Sequence, residues 1–230
     1  MSSIKENLLR VMERIERAAR KAGRDADEVK LVAVSKTVEV GRIKEAIEAG
    51  VSILGENYIQ EAQKKIEEIR RPVSWHFIGH LQSNKAKYAI RLFDMIHCVD
   101  SLPLADELNR RAEQADRAVK VMIEVNLSKE ATKFGTDEEM VFSLARGIQT
   151  LHHLSLEGLM TMPPYFDSPE RSRPYYIALR ELEERMIKER IPMKGLSMGM
   201  SNDFEVAIEE GATFVRVGTA IFGPRKEVRS

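Results

Sequence analysis

The sequence predicts an α/β fold: a single closed (β/α)8 TIM-type barrel with one extra helix at its N-terminus. Three observations lead there. Eight short apolar runs recur along the 230 residues. Longer charged, amphipathic segments separate them. No linker or low-complexity tract interrupts the pattern, so residues 1–230 read as one domain. Strands alternating with helices imply parallel pairing through right-handed crossovers. Eight such units in this length favour closure over the runner-up, an open doubly wound sheet.

The elements follow in order. From Ile4 to Lys21, Leu8, Val11, Met12, Ile15 and Ala18-Ala19 recur at helical spacing, which marks one apolar face. Gly23 lies just past the end, a common C-terminal position. The eight runs are Val29–Lys36, Ser52–Tyr58, Ser74–Gly79, Met95–Asp100, Ala118–Leu127, Leu154–Met160, Gly195–Ser201 and Thr213–Phe222. The helical segments between them are Val40–Ala49, Ile59–Ile69, Asn84–Ile90, Leu102–Gln114, Asp137–Gln149, Tyr175–Glu189 and Asp203–Glu210. Gly50 and Gly211 stand at helix ends. Met162–Pro174, rich in Pro, Asp and Ser, reads as a long loop after the sixth strand, either a flap over the barrel mouth or a plain connection.

Composition narrows the function. Lys plus Arg and Asp plus Glu both number 36, so the net charge is zero. No global field draws the chain onto nucleic acid or an anionic membrane. The single cysteine, Cys98, excludes an intrachain disulfide framework and, as part of the fourth run, reads as a small core residue. Met1–Asn7 has no signal-peptide character, and no apolar run approaches the ~20 residues of a membrane span. The expectation is a soluble cytoplasmic protein.

Barrel chemistry gathers at the carboxyl ends of the strands. Strand one delivers Lys36, whose amine has three possible roles: a solvated charge, a phosphate contact or a Schiff-base nucleophile. Alternation puts Val32, Val34 and Lys36 on one face and Leu31, Ala33 and Ser35 on the other. Phe214, Arg216 and Gly218 likewise share a face, so Arg216 looks inward and needs a partner. Ser201-Asn202-Asp203 precedes a helical stretch, and Gly218-Thr219 follows strand eight. Loops after strands seven and eight are a recurrent phosphate position in barrels; the plainer alternative is that Ser201 caps a helix and Gly218 makes a turn. His76 and His80 have a ligand-like spacing, but Gly79 and the lack of a clear third ligand argue against a metal. His152-His153 reads as a surface feature, and Gln82–Lys87 as a polar rim segment.

Together these motifs resemble the pyridoxal phosphate homeostasis protein family. The resemblance rests on Trp75–Lys85 (WHFIGHLQSNK), Ala33–Lys36, Gly55–Tyr58, Gly158–Met160, Ser197–Asp203 (SMGMSND) and Arg216–Gly223 (RVGTAIFG), in order along essentially the whole chain. Asn202 is a small departure from the usual motif. The resemblance implies a barrel like the N-terminal domain of alanine racemase, the fold-type-III arrangement. It implies pyridoxal 5′-phosphate held as a Schiff base on Lys36, with its phosphate on Ser201, Gly218 and Thr219. Arg216 would face the ring nitrogen, and Asn57 and Met200 would line the cofactor. An arginine there leaves the ring unprotonated and a weaker electron sink. The racemase's opposite-face tyrosine comes from a second domain, for which the sequence up to Ser230 shows no counterpart. The expectation is therefore cofactor binding in vitamin B6 homeostasis and amino-acid balance without efficient turnover.

The alternatives are a pyridoxal-phosphate-dependent amino-acid racemase, a sugar-phosphate aldolase or isomerase barrel, and a module that recognises apo-enzymes. The expected partners are the cofactor and pyridoxal-phosphate-dependent apo-enzymes, and the expected state is a monomer. Lys133, after strand five, is a candidate secondary cofactor contact.

Overall fold

The computed structural model describes residues 3–130 and 133–224. Eight strands close into a parallel barrel: β1 (Lys30–Val34), β2 (Ile53–Glu56), β3 (Ser74–Phe77), β4 (Met95–Val99), β5 (Val119–Glu124), β6 (Leu154–Met160), β7 (Leu196–Met200) and β8 (Phe214–Val217). β8 returns to β1, aligning Val32 with Arg216. The surrounding helices are α2 (Val40–Glu48), α3 (Ile59–Ile69), α4 (Ala86–Leu92), α5 (Leu102–Gln114), α6 (Val141–Gln149), α7 (Arg173–Lys188), α8 (Phe204–Glu209) and α9 (Thr219–Phe222). The extra helix, α1 (Ile4–Lys21), precedes the barrel. No helix among the described residues is long and apolar enough to cross a membrane.

α1 begins with a reciprocal cap. The Glu6 amide donates to Ser3 Oγ (3.2 Å) and the Ser3 amide to Glu6 Oε2 (2.9 Å), satisfying two otherwise orphaned donors. Its buried face is Ile4, Leu8, Val11, Ile15, Ala18 and Ala19. Met12, assigned above to that face, is instead exposed, as is Leu9 beside it. Arg14 ties α1 to α8 through a two-pronged pair with Glu205 (2.8 and 2.7 Å).

The eighth run is not one strand. β8 ends at Val217, and α9 makes one turn from Thr219. The break falls at Gly218 and Thr219, which line a cavity at the barrel mouth. The first run also ends early: Ser35 and Lys36 lie beyond β1, in a turn closed by the Val38 amide on the Ser35 carbonyl (3.0 Å). α7 begins at Arg173 and takes Pro174 into its first turn, where a missing amide costs no helical bond. Gly50 and Gly211 adopt positive φ, as their positions after helices require.

One hydrophobic cluster joins the strands to the inner helix faces. The barrel interior is less apolar. His76, His97 and Phe214 form a ring-on-ring layer, with centroids 5.0–5.9 Å apart. Arg216 lies one inward position nearer the carboxyl end than Phe214 on the same strand, beneath the mouth.

Candidate functional site

Lys36, Asn57, Met200, Ser201, Arg216, Gly218 and Thr219, all singled out from sequence, line one cavity of about 300 Å³ at the carboxyl ends of the strands. Val34 and Ile78 form apolar wall, and Met162, Tyr165, Asn202 and Asp203 complete the lining. Met162 and Tyr165 place the loop after β6 at the mouth, as the flap reading expected of its position. That loop is tied to the site by the Asn202 Nδ2 bond to the Phe166 carbonyl (3.0 Å).

Lys36 reaches the cavity from the turn after β1, on the side that Val34 faces. Val34 and Lys36 point inward, and Ser35, fully buried, points outward toward α3. There the Ser35 hydroxyl donates to Glu56 Oε1 (2.7 Å). Lys65 of α3 donates to the Ser35 carbonyl (2.6 Å), Glu56 Oε1 (2.7 Å) and Glu61 Oε1 (2.7 Å). Burial raises the Glu56 carboxyl above its ordinary pKa, opposed by the charge and hydrogen bonds of Lys65. None of these three partners was recognised from sequence. The spacing of Glu61 and Lys65 carried the signal, since i and i+4 share a helix face.

Arg216 is 3% exposed and firmly held. Its Nη1 donates to the Ser197 carbonyl (2.7 Å) and to Ser197 Oγ (2.6 Å), and its Nη2 to the Thr161 carbonyl (2.8 Å). Burial lowers its pKa, and Tyr176, Glu124 and Asp203 oppose the shift. From Ser197 a buried chain runs inward: Ser197 Oγ to His97 Nδ1 (2.9 Å), then His97 Nε2 to His76 Nδ1 (3.0 Å). Arginine can only donate, so Ser197 Oγ accepts from Arg216, and its second lone pair or its own proton meets His97 Nδ1 according to the imidazole tautomer. His97 Nε2 and His76 Nδ1 face each other across one proton, carried by one ring or the other according to the same tautomer. Burial keeps both imidazoles neutral: His76 is lowered to about 4, and His97 falls well below its usual range. Burial also pushes the nearby Glu124 carboxyl up to about 7, against the pull of Arg216.

Ser201 does not cap α8. Its hydroxyl accepts the amides of Gly218 (3.2 Å) and Ala220 (3.4 Å), joining the loops after β7 and β8. Asp203 has no side-chain cap bond either. Its Oδ1 accepts the Met200 amide (2.7 Å) and its Oδ2 the Ser172 hydroxyl (2.8 Å). The result is a polar corner of hydroxyls and backbone amides, suited to an anionic oxygen cluster. On the opposite side, Asn57 Oδ1 is buried and without a hydrogen-bond partner. An orphaned amide end in a cavity wall is what a polar ligand satisfies. The cavity therefore fits a small molecule with an anionic end, an apolar body and a group reactive toward an amine.

The remaining candidates lie elsewhere. His76 faces the barrel core, whereas His80 is exposed and stacks on Phe134 (3.7 Å between centroids), so they form no ligand pair. Among the described residues there is no metal-binding cluster of His, Cys, Asp or Glu. Cys98 is buried with its thiol pKa raised, mainly by burial, as suits a core residue. His152 is exposed, and His153 is tied through its ring to the Arg117 carbonyl (3.2 Å). Gln82, Ser83 and Asn84 are exposed and outside the cavity. Lys133 is also outside it; its Nζ is buried and unbonded, 3.6 Å from Glu130.

Comparison with known proteins places the chain. Residues 7–226 match the family model "Alanine racemase, N-terminal domain". The chain is 46% identical to the pyridoxal phosphate homeostasis protein of Aquifex aeolicus over 96% of its own length and 98% of the relative's. It is 42% identical to the Pseudomonas aeruginosa protein of the same name, over 98% and 97%. Among solved structures, PipY of Synechococcus elongatus with PLP bound is 35% identical, with a TM-score of 0.80 over 91% of this chain and 100% of that one. Alanine racemase of Clostridium difficile shares the fold at 16% identity, with a TM-score of 0.76; the match covers 98% of this chain and 58% of the racemase. By these identities and coverages, the chain belongs to the pyridoxal phosphate homeostasis protein family.

Proposed function

We propose that this protein binds pyridoxal 5′-phosphate at the barrel mouth, linked to Lys36, and acts in cofactor homeostasis without efficient catalysis. The observation that carries this is the convergence of an amine (Lys36), a guanidinium (Arg216) and a hydroxyl-amide corner (Ser201, Gly218, Thr219) on one cavity. The PLP-bound relative supports it. When bound, the cofactor supplies an aldehyde that condenses with a primary amine, releasing water.

The chain's own groups define the rest. Lys36 provides the amine. Ser201, Gly218 and Thr219 would hold the phosphate, Met200 would line the ring, and the orphaned Asn57 Oδ1 would accept from a polar ring substituent. Arg216 would hold the ring nitrogen as a permanent donor, and a nitrogen kept unprotonated in this way would leave the ring a weak electron sink. Racemisation also needs proton carriers on both faces of the substrate. Both Asp203 oxygens are already bonded. Tyr165 lines the cavity but is 76% exposed, which supports a solvated phenol instead of a positioned acid.

Tyr165 is also the observation that favours the second reading, a racemase-like enzyme. Incubating the loaded protein with alanine or serine in D2O separates the two. The homeostasis reading expects α-proton exchange no faster than with free cofactor, and enzyme-like exchange lost in Tyr165→Phe overturns it. Delivery to apo-enzymes by a monomer completes the proposal, with Lys133 as a secondary contact during transfer. Transfer from Lys133→Ala to an apo-enzyme at the wild-type rate removes that role.

A further inference from the structure

We propose that Lys65, held between Glu56 and Glu61, is a positioning residue that sets the turn presenting Lys36 to the cofactor; this rests on the cofactor reading above. Lys36 occupies the second place of the four-residue turn from Ser35 to Val38. The third place is Thr37, whose φ of 63° lies in the left-handed region. A β-branched residue is disfavoured there, and glycine or asparagine is the usual occupant. Something outside the turn must hold it, and the buried ion cluster touches it at three points.

Lys65 Nζ donates to the Ser35 carbonyl (2.6 Å). Glu56 Oε1 accepts the Ser35 hydroxyl (2.7 Å). Glu61 Oε1 accepts the Thr37 amide (2.6 Å). The residues on either side of Lys36 are thus both gripped, and the three ammonium protons of Lys65 have three acceptors. Lys65 is 5% exposed and Glu56 is fully buried. Buried ion clusters are rarely more stabilising than a well-packed apolar set. What this one adds is geometry: it orients Lys36 from the outer side of the sheet and leaves the cavity clear for the cofactor.

The test compares wild type with Glu61→Gln and with the charge-balanced pair Lys65→Met/Glu56→Gln, each with and without Thr37→Asn. Three quantities are read: the rate of covalent attachment of pyridoxal 5′-phosphate by stopped-flow absorbance, the affinity for pyridoxine 5′-phosphate, and hydrogen exchange at the Thr37 amide without cofactor. Pyridoxine 5′-phosphate carries an alcohol in place of the aldehyde and cannot link to Lys36. The expectation is attachment slowed about tenfold or more in the pair, pyridoxine 5′-phosphate affinity unchanged, and faster Thr37 exchange. Thr37→Asn, which tolerates the left-handed region, then restores part of the rate. An unchanged attachment rate overturns the proposal. So does a parallel loss of pyridoxine 5′-phosphate affinity that Thr37→Asn does not repair, because that marks general structural damage. If wild type itself forms no link at Lys36, the cofactor reading fails first, and Thr37 exchange still tests the clamp on the apo protein.

Discussion

Two buried polar networks meet at the barrel mouth, and they are made of opposite materials. Outside the sheet, between β1, β2 and α3, the network is ionic: Lys65 faces Glu56 and Glu61. Inside the barrel it ends in a neutral chain, with Arg216 bonded to Ser197 and then to two uncharged imidazoles. The ionic network depends on matched charge, since removing one partner strands another in a dry place. The neutral chain depends on its protons staying where they are, since a second proton on either imidazole would put charge beside a guanidinium. The first is vulnerable to mutation and the second to acid.

The largest effect expected is therefore from Lys65→Met alone. Leaving Glu56 buried without its counter-ion costs about 3–5 kcal/mol, measured by urea unfolding. Adding Glu56→Gln recovers most of it. A single-variant cost below about 1 kcal/mol, the level of an exposed pair, would break the comparison.

The neutral chain makes a smaller and pH-dependent prediction. His76 titrates near 4 in the folded protein, against an ordinary 6.5. Burial is the main cause; Asp94 opposes it, and Lys120 and Lys30 add to it. Between those values the unfolded chain binds more protons, so this contribution is present above 6.5 and lost as pH falls toward 4. It amounts to about 3 kcal/mol. Glu124 and Glu183, raised to about 7, act in the opposite sense over the upper part of the window, and Glu56 is raised as well. The measurement is thus the difference between wild type and His76→Gln, whose amide keeps a hydrogen-bond partner for His97 but does not titrate. The wild type is expected to lose more stability on acidification, and parallel curves would contradict the neutral-chain account.

What the sequence made legible follows the range of the physics involved. α3 and α5 match their amphipathic segments residue for residue, because helical periodicity is local. Alternation along β8 is enough to turn Arg216 inward, and along β1 it gives the side on which Lys36 leaves the strand. The eighth apolar run extends past β8 because Ile221 and Phe222 of α9 are apolar too, although Gly218-Thr219 already marks the strand's end in the sequence. Met12 was misplaced because it lies at the margin of the apolar stripe of α1, beside the exposed Leu9. The His76–His97–Ser197 chain was invisible for a stronger reason. Its members come from β3, β4 and β7, and only closure brings β7 across to the other two. The Glu56–Lys65 contact likewise joins a strand to the helix after it, and no single periodicity reports both.

The central claim is that the inward-facing Lys36 captures pyridoxal 5′-phosphate. The most direct test is to load the purified protein, reduce it with borohydride and map the modified peptide by mass, with Lys36→Ala alongside. The account predicts one reduced adduct on Lys36, absent from the variant together with the visible band. An adduct on another lysine, or a band that survives Lys36→Ala, would contradict it.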